Sequence, residues 1–135
     1  MAQLRHLALR CRDVEASRRF YEQAVGFEFV GYRPGGVSVD LSDGTLNITL
    51  LPHGDKERPR LEEGEEYIHF GIFVDDLEAA WNRLRDWDAP GVKTVKGRNP
   101  IDPEALPEVA FKVVDPDGNI IDVTGDSKEW RGTTI

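Results

Sequence analysis

The sequence predicts an α+β fold of two βαβββ modules whose sheets curl into an open cup. Three observations carry that prediction. First, residues 67–79 repeat residues 4–16 at an offset of 63, which lays His69 on His6, Asp76 on Asp13, Leu77 on Val14, Glu78 on Glu15 and Ala79 on Ala16. A period this long in a chain of 135 residues means two copies of one supersecondary unit. Second, in each copy a period-two alternation gives way at an aspartate to helical spacing. Third, both copies continue into short apolar runs separated by glycine- and proline-bearing turns.

Taken in order, residues 3–12 place Leu7, Leu9 and Cys11 on one face and Leu4, His6, Ala8 and Arg10 on the other. Asp13 is suited to cap a helix, because a short carboxylate accepts hydrogen bonds from the unpaired amides of the first turn. That helix carries Val14, Phe20, Tyr21, Ala24 and Val25 along one side and stops at Gly26, with Phe27 as its apolar partner. Strands are expected at 27–32, 37–41 and 46–51, joined by Arg33-Pro34-Gly35-Gly36 and Ser42-Asp43-Gly44. Residues 1–51 make up the first module. Residues 52–66 form a charged, proline-bearing linker that cannot build a core and so lies at the surface, with His53 solvent-exposed within it.

The second module covers 67–124. Strand 67–74 leads to a helix from Asp76 that buries Leu77, Ala80, Trp81, Leu84 and Trp87. A short strand at 92–95, an irregular insert at 96–108, a strand at 109–114, an Asp115-Pro116-Asp117-Gly118 turn and a last strand at 119–124 follow. The tail, 125–135, is polar apart from Trp130 and Ile135. Together these pieces make a single domain, 1–135.

Bulk properties exclude several function classes. A net charge of −8 opposes a phosphate backbone or an anionic membrane, and no basic stripe offsets it. No apolar run approaches the roughly 20 residues of a bilayer span, and Arg5, Arg10 and Arg12 interrupt any leader-like segment. The single cysteine, Cys11, has no internal disulfide partner, so a reducing cytoplasmic setting is expected, with the thiol packed in the core.

The chemistry centres on His6 and His69. A lone strand histidine is usually structural, but two at equivalent positions of a repeat converge across a pseudo-twofold axis. Neutral imidazole is a common ligand for zinc, iron and nickel. Asp122, between the apolar Ile121 and Val123, is a carboxylate in need of a partner. Two histidines and a carboxylate form the facial triad of non-haem iron sites, so Fe2+ or Mn2+ is favoured, with Ni2+ and Zn2+ also suited. Arg10, on the His6 face, is placed to grip a substrate carboxylate, or else to make a rim salt bridge. Lys112 suits an acid–base group or anion anchor if it faces the cup, and a solvated strand edge if it does not.

Four stretches resemble the vicinal oxygen chelate superfamily, which includes glyoxalase I, extradiol dioxygenases and bleomycin-binding proteins. They are Leu4-Arg5-His6-Leu7-Ala8-Leu9, Phe20-Tyr21 with Val25-Gly26-Phe27, Ile68-His69-Phe70-Gly71-Ile72-Phe73-Val74-Asp75-Asp76, and Asp115-Pro116-Asp117-Gly118-Asn119 with Asp122. The resemblance implies paired βαβββ modules forming a metal-holding cup, with the triad on His6, His69 and Asp122. It further implies a dioxygenase, or a lyase or isomerase, acting on a small substrate with adjacent oxygens, in a homodimer that shares its sites. The alternative within the family is a non-catalytic drug-binding protein of the bleomycin-resistance type. The sequence departs from the family at named positions. Aspartate replaces the usual glutamate at 122, Thr49 stands where glyoxalase I has a fourth ligand, Lys112 stands at the extradiol tyrosine, and Ala8 replaces the threonine of fosfomycin transferases.

Overall fold

Each half of the chain folds around one helix and one small sheet, in two compact units, Met1–Pro59 and Arg60–Ile135. The computed structural model describes residues 1–59, 61–87 and 105–134. The boundary between the units falls inside the expected linker.

In the first unit, strand β1 (His6–Cys11) runs into helix α1 (Val14–Arg19). Asp13 caps the helix in an extended conformation, its carboxylate accepting from the amide of Ala16. The expected single helix is in fact two. Residues Phe20–Val25 widen into a π-helix that ends at Gly26, whose φ of 100° supplies the left-handed exit. The widened turn packs Phe20, Tyr21, Ala24 and Val25 together into the core. Tyr21 meets Phe20 edge-on at 5.1 Å and stacks on Phe27 at 6.0 Å.

The strands β2 (Glu28–Tyr32), β3 (Val39–Ser42) and β4 (Asn47–Pro52) complete a sheet of order β1-β4-β3-β2, with β1 parallel to β4. A register shift between Phe29 and Gly31 marks a bulge in β2. Val37, expected in a strand, lies outside β3 and is exposed. Leu9, Cys11, Leu41, Ile48 and Leu50 form the helix-covered face, and Cys11 is fully buried as expected.

In the second unit, β5 (Phe70–Phe73) is followed by helix α2 (Leu77–Asp86), capped by Asp76 as α1 is by Asp13. The strands β6 (Ala110–Val114) and β7 (Ile120–Thr124) complete a sheet of order β5-β7-β6, with β5 parallel to β7. The expected strand at 92–95 lies outside the described residues, as does most of the insert, 96–104. Ala80, Trp81 and Leu84 are buried while Leu77 and Trp87 are half-buried. Trp81 packs edge-on against Phe111 of β6 at 5.0 Å, which fixes helix to sheet. Burying each such aromatic side chain contributes about 1.5–3 kcal/mol.

β5 is shorter than the alternation suggests. Tyr67 and Ile68 are 98% and 74% exposed, so the apolar pattern there covers no core. His69 consequently sits immediately before the strand. The two units nonetheless keep one register: β1–β4 pairs Ala8 with Thr49, and β5–β7 pairs Gly71 with Asp122. The internal repeat thus extends to the last strand of each module, with Thr49 and Asp122 as counterparts.

Candidate metal site

In the second unit the helix covers the face bearing Phe111, Val113, Ile121 and Val123. The opposite face carries Gly71, Lys112 and Asp122, because cross-strand partners share a side and neighbours alternate. His69 joins them from the start of β5. Its Nε2 lies 3.4 Å from Asp122 Oδ2, and its Nδ1 lies 3.1 Å from Glu66 Oε1. The Lys112 ammonium contacts the other Asp122 oxygen and lies 3.6 Å from Glu63 Oε1. At 9% exposure Lys112 is not a solvated strand edge. The structure therefore brings together three of the expected site residues: His69, Lys112 and Asp122.

His6 and Arg10 belong to the first unit. The His6 ring lies on the uncovered face of β1, with Nδ1 2.6 Å from Asn47 Oδ1. Asn47 Nδ2 donates to Asp40 Oδ1, a carboxylate that only accepts, so the Asn47 oxygen is the group turned to His6. His6 Nδ1 is therefore the protonated ring nitrogen in the neutral ring. Arg10 is exposed and donates to the Pro52 carbonyl at 3.2 Å.

The same tautomer argument holds for His69. Glu66 is an acceptor, so Nδ1 donates to it. The Glu66 carboxyl is held below its usual range by its own backbone amide first, with burial opposing, then by the Gly64 amide and His69. In a neutral His69 with Nδ1 protonated, the Nε2 lone pair faces Asp122 Oδ2 at 3.4 Å, a pair that a proton on Nε2 or a bound cation would satisfy. Both candidate imidazoles have Nδ1 tied to an oxygen acceptor, the arrangement that orients metal-ligating histidines. His69 with Asp122 would supply two donors, although among the described residues no group of three or more His, Cys, Asp or Glu side chains comes together as a metal site.

Thr49, the counterpart of Asp122, is committed elsewhere. Its hydroxyl is 2.7 Å from Asp40 Oδ1, and Arg33 donates to it at 3.1 Å. Asp40 also accepts from Asn47 at 3.1 Å and from Arg33 Nε at 3.0 Å. Burial raises the Asp40 pKa, but these hydrogen bonds, from Thr49 first, outweigh it and hold the carboxyl below its usual value.

Sequence reasoning missed the roles of Asn47, Glu63 and Glu66. The linker is mostly exposed, as expected, yet Glu63 and Glu66 are half-buried against the site. His53 is also half-buried rather than exposed. Asn47 carried a legible signal, since it lies two residues before Thr49 on the same strand face. Trp130 lies over Gly71, where an added Cβ would fall well inside van der Waals contact with its indole ring. With Ala110, Phe111, Lys112, Asp122 and Glu129, Trp130 lines an open cavity on this side of the sheet.

Two small sheets, each with its first strand parallel to the strand that closes its module and an acid-capped helix in each unit, make up a two-module α+β fold. The chain belongs to the Glyoxalase/Bleomycin resistance protein/Dioxygenase superfamily, whose sequence profile matches residues 3–123. A trivalent organoarsenical cleaving enzyme from Thermomonospora curvata is 29% identical over 90 residues, covering 67% of this chain and 56% of that one, little more than half the relative's length. Among solved structures, fosfomycin resistance protein FosX from Listeria monocytogenes aligns with a TM-score of 0.69 at 16% identity, over 99% of each chain. The antibiotic-binding protein TnmS3 from Streptomyces sp. CB03234 aligns at 0.61 and 21% identity, over 92% of this chain and 95% of that one. At these identities the structural likenesses establish the fold. Among the described residues, no helix is long and apolar enough to cross a membrane.

Proposed function

We propose that the chain is a divalent-metal-dependent enzyme in which His6, His69 and Asp122 hold the ion, with Fe2+ or Mn2+ favoured and Ni2+ or Zn2+ also accommodated. The observation that carries this reading is the facing pair of acceptors, His69 Nε2 and Asp122 Oδ2, with His69 Nδ1 fixed by Glu66. The use of divalent metals across the superfamily supports it. A bound ion would act as a Lewis acid toward adjacent oxygens of a small substrate, as a dioxygenase or a lyase or isomerase requires. Glu66 and Asn47 keep both imidazoles in the Nδ1–H form and present Nε2 outward. Lys112, whose Nζ contacts Asp122, serves as an acid–base group or an anion anchor. Arg10, tethered by the Pro52 carbonyl, is the candidate grip for a substrate carboxylate.

Metal analysis of untagged protein tests this reading. About one equivalent per site is expected after reconstitution with iron, manganese, nickel or zinc, and less than about a tenth of an equivalent with all four would end it. We further propose a homodimer in which His6 of one copy completes the His69–Asp122 pair of the other. Mixing His6→Ala with His69→Ala protein then restores metal binding in a fraction of the sites, and no restoration would reject the sharing.

The organoarsenical relative lends no substrate to this chain. Trivalent arsenic is a soft, thiolate-seeking centre, and Cys11 is fully buried with its thiol donating to the Leu9 carbonyl at 3.7 Å. A second reading, small-molecule binding without turnover, is favoured by the Lys112 ammonium, which already neutralises Asp122 without a metal. It predicts ligand retention, unaltered by mass spectrometry, in metal-free protein.

A further inference from the structure

We infer that Lys112 is a built-in cation that competes with the metal for Asp122, and that Glu63 is the second seat to which it withdraws when the metal binds. The inference rests on Asp122 as a ligand and adds who contests it.

The backbone register forces the competition. Lys112 and Asp122 are cross-strand partners on β6 and β7, so their side chains rise from the same face side by side. Asp122 is short, and its two oxygens are divided between two neighbours: Oδ1 contacts the Lys112 ammonium and Oδ2 faces His69 Nε2. An ion bound between His69 and Asp122 would be brought close to that ammonium, and two cations beside one carboxylate repel. The lysine cannot retreat into bulk water without leaving the sheet face, because its side chain is only 11% exposed.

It can, however, turn to Glu63. That carboxylate lies 3.6 Å from Nζ, too long for a tight hydrogen bond but within ion-pair range, and its side chain is 19% exposed. A rotation about the end of the lysine stem exchanges the tight contact from Asp122 to Glu63. Asp122 is then released to the ion while the ammonium stays paired, so no charge is left buried without a partner. The arrangement makes the site's affinity depend on a residue that is not itself a ligand.

Direct metal titration of the full-length protein with Mn2+ and Zn2+, by calorimetry or competition with a chelating dye, tests the switch. Lys112→Gln is expected to tighten binding by about tenfold or more, and Lys112→Arg, which keeps the charge, to remain near the parent. A purely structural lysine would weaken binding when replaced. Glu63→Gln is expected to weaken binding several-fold in the parent and to have no effect in Lys112→Gln, because its action runs through the lysine. Should Glu63→Gln weaken binding equally in both backgrounds, Glu63 acts by its own charge or as a ligand and the second seat is rejected. Unchanged or weakened affinity in Lys112→Gln rejects the competition outright. If neither the parent nor Lys112→Gln binds metal, the metal reading and this inference fall together, whereas binding by the parent with no gain in Lys112→Gln removes only the inference.

Discussion

The uncovered faces of the two sheets share a register and differ in where they keep their charges. In the first unit the middle strand offers Thr49 and the neighbouring strand the carboxylate, Asp40. In the second the middle strand offers the carboxylate, Asp122, and the neighbouring strand the cation, Lys112. Asp40 Oδ1 accepts from Thr49, Asn47 and Arg33, and Asn47 extends the chain to His6. Asp122 is held by one ammonium and faces one imidazole nitrogen. The comparison teaches that a carboxylate engaged by several fixed donors orients its neighbours, while one paired with a single ammonium keeps an oxygen facing an imidazole nitrogen. In the proposed site the first unit would supply one imidazole and the second two donors.

The largest expected effect breaks that contrast at the ligands. Asp122→Asn or His69→Ala should abolish measurable metal binding in a titration, while Thr49→Val, at the matching position, should leave affinity unchanged. If Thr49→Val lost the metal as well, the first sheet would be supplying a ligand through its hydroxyl network. A smaller effect is expected from the groups that hold the rings: Glu66→Gln should lower metal affinity about tenfold to a hundredfold without abolishing it. An unchanged affinity would mean that His69 needs no fixing.

The contrast extends to the parallel pairs. Ala8 and Gly71 are counterparts, but only Gly71 lies beneath an indole. Gly71→Ala should cost about 1–3 kcal/mol in urea unfolding as Trp130 is pushed aside. Ala8→Gly should cost about 0.5–1 kcal/mol, from chain entropy alone. A red-shifted tryptophan emission in Gly71→Ala would show the displacement, and equal costs for the two changes would contradict it.

Acid sensitivity is the smallest effect. Burial pushes the Asp40 carboxyl up and its hydrogen bonds push it further down, so its native pKa lies below the ordinary 3.8. A depressed carboxylate contributes stability that is present above its unfolded-state pKa and is lost as pH falls through the native value. Asp40→Asn should therefore lower stability at neutral pH and flatten its decline below about pH 3.8, as followed by thermal unfolding across pH. A decline as steep as the parent's would assign the acid response to other carboxylates.

Much of this was legible in the sequence because it is encoded locally. Asp13 and Asp76 announce their helices through cap chemistry, and Gly26 announces the end of the first one. The repeat laid His69 on His6 in the sequence, and the strand pairing makes Asp122 the counterpart of Thr49. What stayed hidden depends on contacts between distant segments. The π-helical widening at Phe20–Val25 answers to core packing, not to helix propensity. Tyr67 and Ile68 look like strand residues, yet they have no covering layer, so their alternation misled. Glu63 and Glu66 look like solvated linker charges, and only the fold shows them turned toward Lys112 and His69. Arg10 read as a grip for an anion, and the structure ties it to the Pro52 carbonyl on an exposed edge.

The central claim is that both imidazoles bind through Nε2 because Nδ1 is already engaged. Titrating zinc, a diamagnetic ion, into protein with 15N-labelled histidine rings while following the ring nitrogens tests this most directly. The account predicts that the Nε2 resonances of His6 and His69 shift together and saturate at one equivalent per site, with both Nδ1 nitrogens remaining protonated. A shift at only one of the two rings, or coordination through Nδ1, would contradict it.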